Sequence, residues 1–420
     1  MKMDSPSMAT RTFKYGLKRS FSLRRALPYF GPAFLVSVGY IDPGNWATNI
    51  EGGASFGYML LWVLLLSNLM AILLQTLAAK LGVATGKSLA ENCREHFQRP
   101  TAMFLWFTAQ IAAMATDLAE FLGAALGIKI LLGIDLFPSA ILAGVITFII
   151  LALNRYGYRI VEQIIFLFIA VVAFVYVIEL FYAKPDWSAI GFHIAVPQLS
   201  SASVLVAIGM LGATVMPHNI YLHSSVVKHR LKPDDAKHNK KVYKGTIADS
   251  LVALNLAWFI NSAMIVMAAA TFFHNGIKVN SIESAYATLV PLLGGFASIV
   301  FAIALLSAGL SSSVTGTMAG QYILEGFLKV SLPLWVRRLI TMVPALLIIA
   351  SGVNTLDALV LSQVVLSLQL PFTIIPLILF TRNKKIMGGY ANKPFTNVLA
   401  ILTTCIVLSL NLALLYVSFF

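Results

Sequence analysis

Charge is scarce in this chain. Asp, Glu, Lys and Arg make up 11% of its 420 residues, where a soluble domain carries roughly 25%. A chain so poor in charge and 59% hydrophobic cannot cover itself with a water-soluble surface. It is expected to be an all-α polytopic membrane protein, and length-per-domain rules for soluble folds do not apply. Cysteine is nearly absent. Cys93 and Cys405 lie in unrelated segments, which excludes a disulfide framework and a thiolate metal site. No cleavable signal peptide is visible: residues 1–25 carry seven Lys/Arg and no long apolar core, so 1–27 reads as a basic cytosolic tail. No nucleophile–base pair or nucleotide-binding loop is apparent, which argues against an enzyme and against an ATP-driven pump. Long polar segments are missing too. The longest expected cytosolic stretch is about 27 residues, too short for the output domain of a membrane sensor.

What is present is apolar sequence in blocks. Windows of about 20 apolar residues mark transmembrane spans. Eleven are expected: 28–56, 58–79, 102–127, 137–154, 160–182, 202–227, 246–271, 291–327, 336–351, 356–380 and 396–418. Of the 30 Lys/Arg, 27 fall in the N-terminal tail and alternate loops, and only Lys129, Lys184 and Lys278 fall in the others. Positive-inside bias therefore predicts a cytosolic N-terminus and an extracytosolic C-terminus. It also reads the net charge of +13 as an orientation signal, and nucleic acid is not an expected partner.

Two spans are interrupted near their middles. The first reads Gly39-Tyr40-Ile41-Asp42-Pro43-Gly44-Asn45-Trp46 and the sixth reads Val215-Met216-Pro217-His218-Asn219. Proline removes a backbone donor and clashes with the preceding turn, so a helix breaks there. A break at membrane depth exposes backbone groups that protein or a bound ion must satisfy. Two matched breaks far apart in the chain point to a secondary transporter with inverted repeats. If spans 1–5 (28–182) and 6–10 (202–380) are two five-helix units, the odd repeat length inverts the second. Span 11 (396–418) is then an addition. This is a LeuT-type 5+5 arrangement with helices 1 and 6 broken at mid-membrane.

The residues at the breaks carry the chemistry. Asp42 and Asn45 flank the first; Met216 and the carbonyls freed near Ala213 and Thr214 flank the second. Carboxylate, amide and carbonyl oxygens suit hard or intermediate divalent ions, and a thioether shifts preference toward transition metals such as Mn²⁺ and Fe²⁺. DPGN and MPHN, together with AGLSSSVTGTMAGQ (308–321) and SQVVLSLQLPF (362–372), resemble the paired signature of the Nramp family of proton-coupled divalent metal transporters. The resemblance covers spans 1–10. It implies Asp42, Asn45, Met216 and the Ala213 carbonyl as metal ligands. It also implies that Gln363 approaches the metal when the outer gate closes, although Gln369 lies nearby on the same helix.

Span 3 holds Asp117 and Glu120, three apart and so on one helix face. Acids inside a membrane span are costly and by default functional. Arg337 and Arg338 at the start of span 9 are candidate partners. The resemblance implies that these acidic and basic residues, with Asp42, form a proton route distinct from the metal route. His218 and His223 titrate near neutrality. Five apart, they stand roughly 140° apart around a helix and cannot chelate one ion together. His218 is expected to handle protons or gate; His223 is expected to gate or simply to hydrogen-bond inside the bundle.

The expected function is import of divalent transition metals (Mn²⁺, Fe²⁺, with Co²⁺, Cd²⁺ and Zn²⁺ as further cargo) by proton symport with alternating access. No permanently bound cofactor is expected. The expected partners are metal ions, protons and the lipid bilayer, with the protein acting as a monomer in a bacterial inner membrane. The competing reading is a sodium-coupled amino-acid or organic-cation symporter on the same scaffold, for which Ser311, Ser312 and Ser313 would supply hydroxyls to Na⁺.

Overall fold

The computed structural model describes residues 39–153, 158–232, 235–285 and 295–419. The tail 1–27 and the first part of span 1, 28–38, lie outside them. The described residues form helices and connecting segments with no strand. The first half is α1 (Pro43–Phe56), α2 (Leu61–Thr85), α3 (Leu89–His96), α4 (Arg99–Leu132), α5 (Leu136–Leu153), α6 (Tyr158–Ala183) and α7 (Trp187–Ala195). The second is α8 (Val204–Thr214), α9 (Pro217–Lys228), α10 (Ala236–Ala268), α11 (Gly295–Leu328), α12 (Leu334–Ala350), α13 (Thr355–Arg382), α14 (Lys384–Met387) and α15 (Pro394–Phe419). Among the described residues, seven helical segments are long and apolar enough to cross a membrane, with α8 and α9 counted as one. Helices α5, α6 and α12 fall on the expected spans 137–154, 160–182 and 336–351, and α1 is the part of the expected span 28–56 that follows its break.

Both breaks fall where proline dictates. A short 3-10 turn, Gly39–Ile41, ends at Asp42, and the helix restarts with Pro43 in its first turn. There proline's missing N–H costs nothing and its fixed φ is already helical. Asp42 caps the new helix, accepting from the Gly44 and Asn45 amides, the role for which a short acceptor side chain is suited. The second break repeats the device without the cap. Helix α8 ends at Thr214, Pro217 opens α9, and the Met216 side chain at the capping position accepts from no backbone amide of the new helix. The facing ends of α8 and α9 therefore offer free carbonyls on one side and free amides on the other.

Small residues let α4, which carries Asp117 and Glu120, approach α11 closely. Helices α4 and α11 pack along their length. A Cβ on Gly127 would lie 2.7 Å from the Leu306 amide nitrogen, and one on Gly309 would lie 2.4 Å from that of Ala124. Backbone-to-backbone contact of this kind is how membrane helices associate without a hydrophobic driving force. Helix α12 lies across α4 and α11 and brings in its two arginines.

Candidate metal site

The first break meets the second across 168 residues of sequence. Asn45 Nδ2 donates to Asp42 Oδ1 at 2.6 Å and to the Ala213 carbonyl at 2.9 Å. The Asn45 amide nitrogen donates to the same Asp42 oxygen at 3.0 Å, and Gly44 N to the other at 3.2 Å. Helix α13 closes over this point. A Cβ on Gly44 would fall 1.9 Å from Gln363 Nε2, so glycine is required here for the close approach of that side chain. Gln363 Nε2 donates to Ser362 Oγ at 2.9 Å. Asn45 Oδ1 and Gln363 Oε1 are buried without a hydrogen-bond partner among the described residues. Met216 is at the same break, where its sulfur accepts from Asn219 Nδ2 at 3.4 Å. Asp42, Asn45, Ala213, Met216 and Gln363 all have 0% exposure, so these residues are out of contact with solvent. The two glutamines of α13 have different neighbours: Gln363 lies against Gly44, and Gln369 accepts from Thr373 one turn further along its own helix. No cluster of three His, Cys, Asp or Glu is found among the described residues, so any ion held here rests on one carboxylate and neutral donors.

The acids of span 3 lie beside this site. Asp117 Oδ1 pairs with Arg338 Nη1 at 3.3 Å, both side chains buried. Arg338 also donates to Ser313 Oγ at 3.1 Å and lies over the Phe121 ring at 5.5 Å. Among the described residues Glu120 has no nitrogen or hydroxyl donor at either oxygen, and its carboxyl neighbours that of Asp117. It packs against Gly316 of α11, where a Cβ would come within 2.4 Å of it, and it feels the charges of Asp117, Arg338 and Asp42. Arg337, the other candidate partner, feels the Asp117 charge but makes no ion pair with either acid among the described residues. Arg337 donates to Gln110 Oε1 at 3.3 Å and packs on Gly320, because it stands about 100° around the helix from Arg338.

The two histidines go to different neighbours. His218 Nδ1 shares a hydrogen bond with Thr116 Oγ1 at 3.1 Å, one residue from Asp117. His223 Nδ1 bonds Gln75 Oε1 at 2.8 Å, and Gln75 Nε2 donates to Tyr40 Oη at 2.6 Å. Asn261 donates to the Tyr40 carbonyl at 2.6 Å and accepts from Asn49 at 2.7 Å. Sequence reasoning did not single out Thr116, Gln75, Asn219 or Asn261. The available signal was their polarity inside apolar spans, which by itself does not say what they bond.

Two ion pairs tie down the ends. On the side of the basic loops, Lys228 donates to both Glu91 oxygens at 2.8 and 2.9 Å. Burial raises the Glu91 carboxyl, but Lys228 and the Ser88 amide outweigh it and hold it below the usual carboxylate range. On the opposite side, Lys129 pairs with Glu283 at 2.9 Å, and Thr355 donates to the same carboxylate at 3.1 Å.

Comparison with known proteins decides the family. The family model of Nramp, natural resistance-associated macrophage protein-like, matches residues 33–417. The chain belongs to the Nramp family. It is 50% identical over 417 residues to the divalent metal cation transporter MntH of Caldanaerobacter subterraneus subsp. tengcongensis, covering 99% of each chain. To the MntH of Bacillus subtilis it is 47% identical over 399 residues, covering 94% of this chain and 93% of that one. Among solved structures, the Eremococcus coleocola manganese transporter superposes with a TM-score of 0.85 at 33% identity, covering 94% of this chain and 88% of that one. The nucleobase-cation symporter Mhp1 superposes with a TM-score of 0.60 at 15% identity, covering 93% of each, which shows a shared fold alone. This Nramp protein is thus an integral membrane protein with the LeuT-type architecture expected above.

Proposed function

We propose that the protein imports divalent transition metals, Mn²⁺ and Fe²⁺ foremost, by proton symport with alternating access. The reading rests on one observation: Asn45 Nδ2 stands between Asp42 Oδ1 and the Ala213 carbonyl while its own oxygen has no partner among the described residues. Turning that carboxamide over exchanges nitrogen for oxygen in the same place. Three oxygens from two broken helices then surround one point, with the Gln363 amide oxygen and the Met216 sulfur as the remaining donors. A divalent cation there does what the Asn45 hydrogens do now, and does it for a full carboxylate. An ion so enclosed exchanges with neither side unless the helices move, which is the requirement of alternating access.

Asp117, Glu120 and Arg338, with His218 bonded one residue away, carry the proton in this reading. Asp42 belongs to both routes. The metal is cargo, and the protein acts as a monomer in a bacterial plasma membrane with its N-terminus in the cytosol. Residues 28–182 and 202–380 form the two inverted repeats, and 396–418 is added to them. The sodium-symport alternative gains nothing from span 8. Ser311 and Ser312 donate to carbonyls of their own helix at 2.7 and 2.8 Å, and Ser313 accepts from Arg338. The test is uptake into proteoliposomes, metal by metal, with and without an inward pH gradient. Uptake of Mn²⁺ that is indifferent to the gradient would remove the proton from the reading, and Na⁺-dependent uptake of an amino acid would replace it.

A further inference from the structure

The segment joining α13 to α15 has no part in the metal or proton route, and its composition is one-sided. After Asp357 the chain contains no acidic residue to its end, while 382–393 holds Arg382, Lys384, Lys385 and Lys393. All four side chains are exposed, and none makes an ion pair or hydrogen bond to another described residue. The other long basic loop, 228–244, differs in both respects. It contains Asp234 and Asp235, and its Lys228 is bound to Glu91.

The loop is not a loose tail. Asn383 caps the short helix α14 through the Lys385 amide. Asn392 folds back onto the end of α13, its amide nitrogen donating to the Thr381 carbonyl at 3.0 Å and its Nδ2 to Thr381 Oγ1 at 2.9 Å. Lys80 of α2 donates to Asn392 Oδ1 from behind. This return of the chain sets Lys393 beside the end of α13 that carries Arg382. The backbone positions that carry the four cations are thereby brought together at one end of α13.

Directly after Lys393 begins α15, which has the least buried of the seven long apolar segments, 28% against 61% or more for the rest. Phe395, Val398, Leu402 and Leu412 are 72%, 62%, 54% and 64% exposed, and their spacing places them on one helix face. The opposite face, with Ala400 and Val407, is buried. There Asn411 donates to the Ser367 carbonyl at 2.8 Å and accepts from Ser367 Oγ at 3.0 Å. Ser367 lies one turn from Gln363.

We propose that the loop 382–393 is a binding site for an anionic phospholipid, its phosphate held by Arg382, Lys384, Lys385 and Lys393 and its acyl chains laid along the exposed face of α15. A cationic cluster at the root of a lipid-facing helix matches the two halves of such a molecule, and juxtamembrane basic clusters attract anionic headgroups. Because α15 is bonded to α13 beside Gln363, the bound lipid anchors the helix pair that closes the metal site.

The experiment uses the full chain purified in detergent and measures lipid retention by native mass spectrometry. The probes are phosphatidylglycerol, phosphatidylcholine of the same chain length, and inorganic phosphate. The wild type should retain phosphatidylglycerol in preference to phosphatidylcholine. The K384Q/K385Q/K393Q variant should lose that preference, by roughly fivefold for each lysine neutralised. The control K237Q/K240Q/K241Q, in the other basic loop, should keep it. Equal retention of the two lipids by the wild type overturns the proposal. So does equal loss in both triple variants, which would mean diffuse charge, or retention of inorganic phosphate as strong as that of the lipid, which would mean that the chains do not take part.

Discussion

Replacing Asp117 by Asn tests whether the buried charges of α4 and α12 are structural or serve proton movement. The Asp117 and Arg338 side chains are 1% and 0% exposed and lie 3.3 Å apart, which at an effective dielectric near 20 is an attraction of about 5 kcal/mol. Asn is nearly isosteric with Asp, so no cavity forms. Arg338 then keeps its charge with the Ser313 hydroxyl, the Phe121 ring and the nearby Glu120, but without its ion-pair partner. Removing one partner of a buried pair typically costs about 3–5 kcal/mol. D117N should therefore unfold well below the wild type on heating in detergent. Replacing both partners by neutral groups, as in D117N/R338M, leaves no orphaned charge and should recover most of that loss. Metal-driven proton entry, measured in proteoliposomes with an internal pH dye, should stay low in both variants while Mn²⁺ binding by calorimetry persists. The reasoning fails if D117N is as stable as the wild type. It fails equally if the double variant regains proton entry along with stability, since the pair would then be scaffolding alone.

Four shorter predictions follow from the same contacts. Asp42→Ala removes the only carboxylate touching Asn45 and should abolish Mn²⁺ binding in calorimetry while the protein stays folded; unchanged affinity would take Asp42 out of the site. Met216→Ala should leave much Mn²⁺ uptake, weaken Cd²⁺ and let millimolar Ca²⁺ compete, because oxygen donors alone do not reject hard ions; equal inhibition by Ca²⁺ in both proteins would make Met216 packing. Gly123→Ala would place a Cβ 2.1 Å from the Pro43 ring. Since neither α4 nor a proline ring yields cheaply, Mn²⁺ affinity should fall by roughly tenfold or more, on the scale of about 1–3 kcal/mol for overpacking, with no ligand changed; an affinity equal to wild type would mean that the break tolerates displacement. Glu91 is held below the usual carboxylate range, so its clasp on Lys228 is complete at neutral pH and lost as pH falls through that lowered value. Glu91→Gln should speed hydrogen exchange in α3 at pH 7, with the difference from wild type narrowing only as pH falls below the ordinary glutamate value of about 4.3 and through the lowered one; the same exchange rate at pH 7 would show that the pair holds nothing.

What the sequence by itself determined here is local or statistical. Asp42 before Pro43 and Met216 before Pro217 must break and restart a helix, because capping and the missing proline N–H act within one turn. Long apolar windows must span a membrane for want of any other place to put them. The paired motifs were legible for the same reason: each is a short run whose chemistry is complete in itself. What only the tertiary structure decided is which distant side chains meet. Asn45 reaches the Ala213 carbonyl across 168 residues, and nothing in either segment specifies that contact. Gln363 and Gln369 are both plausible by composition, but six residues turn a helix by roughly 240°, and only the packing of α13 on Gly44 sends the first one to the site. Arg338 rather than Arg337 meets Asp117 for the same geometric reason. Helix rotation about its own axis is set by the sum of its contacts with its neighbours, and in an apolar span the sequence marks no polar face strongly enough to announce it.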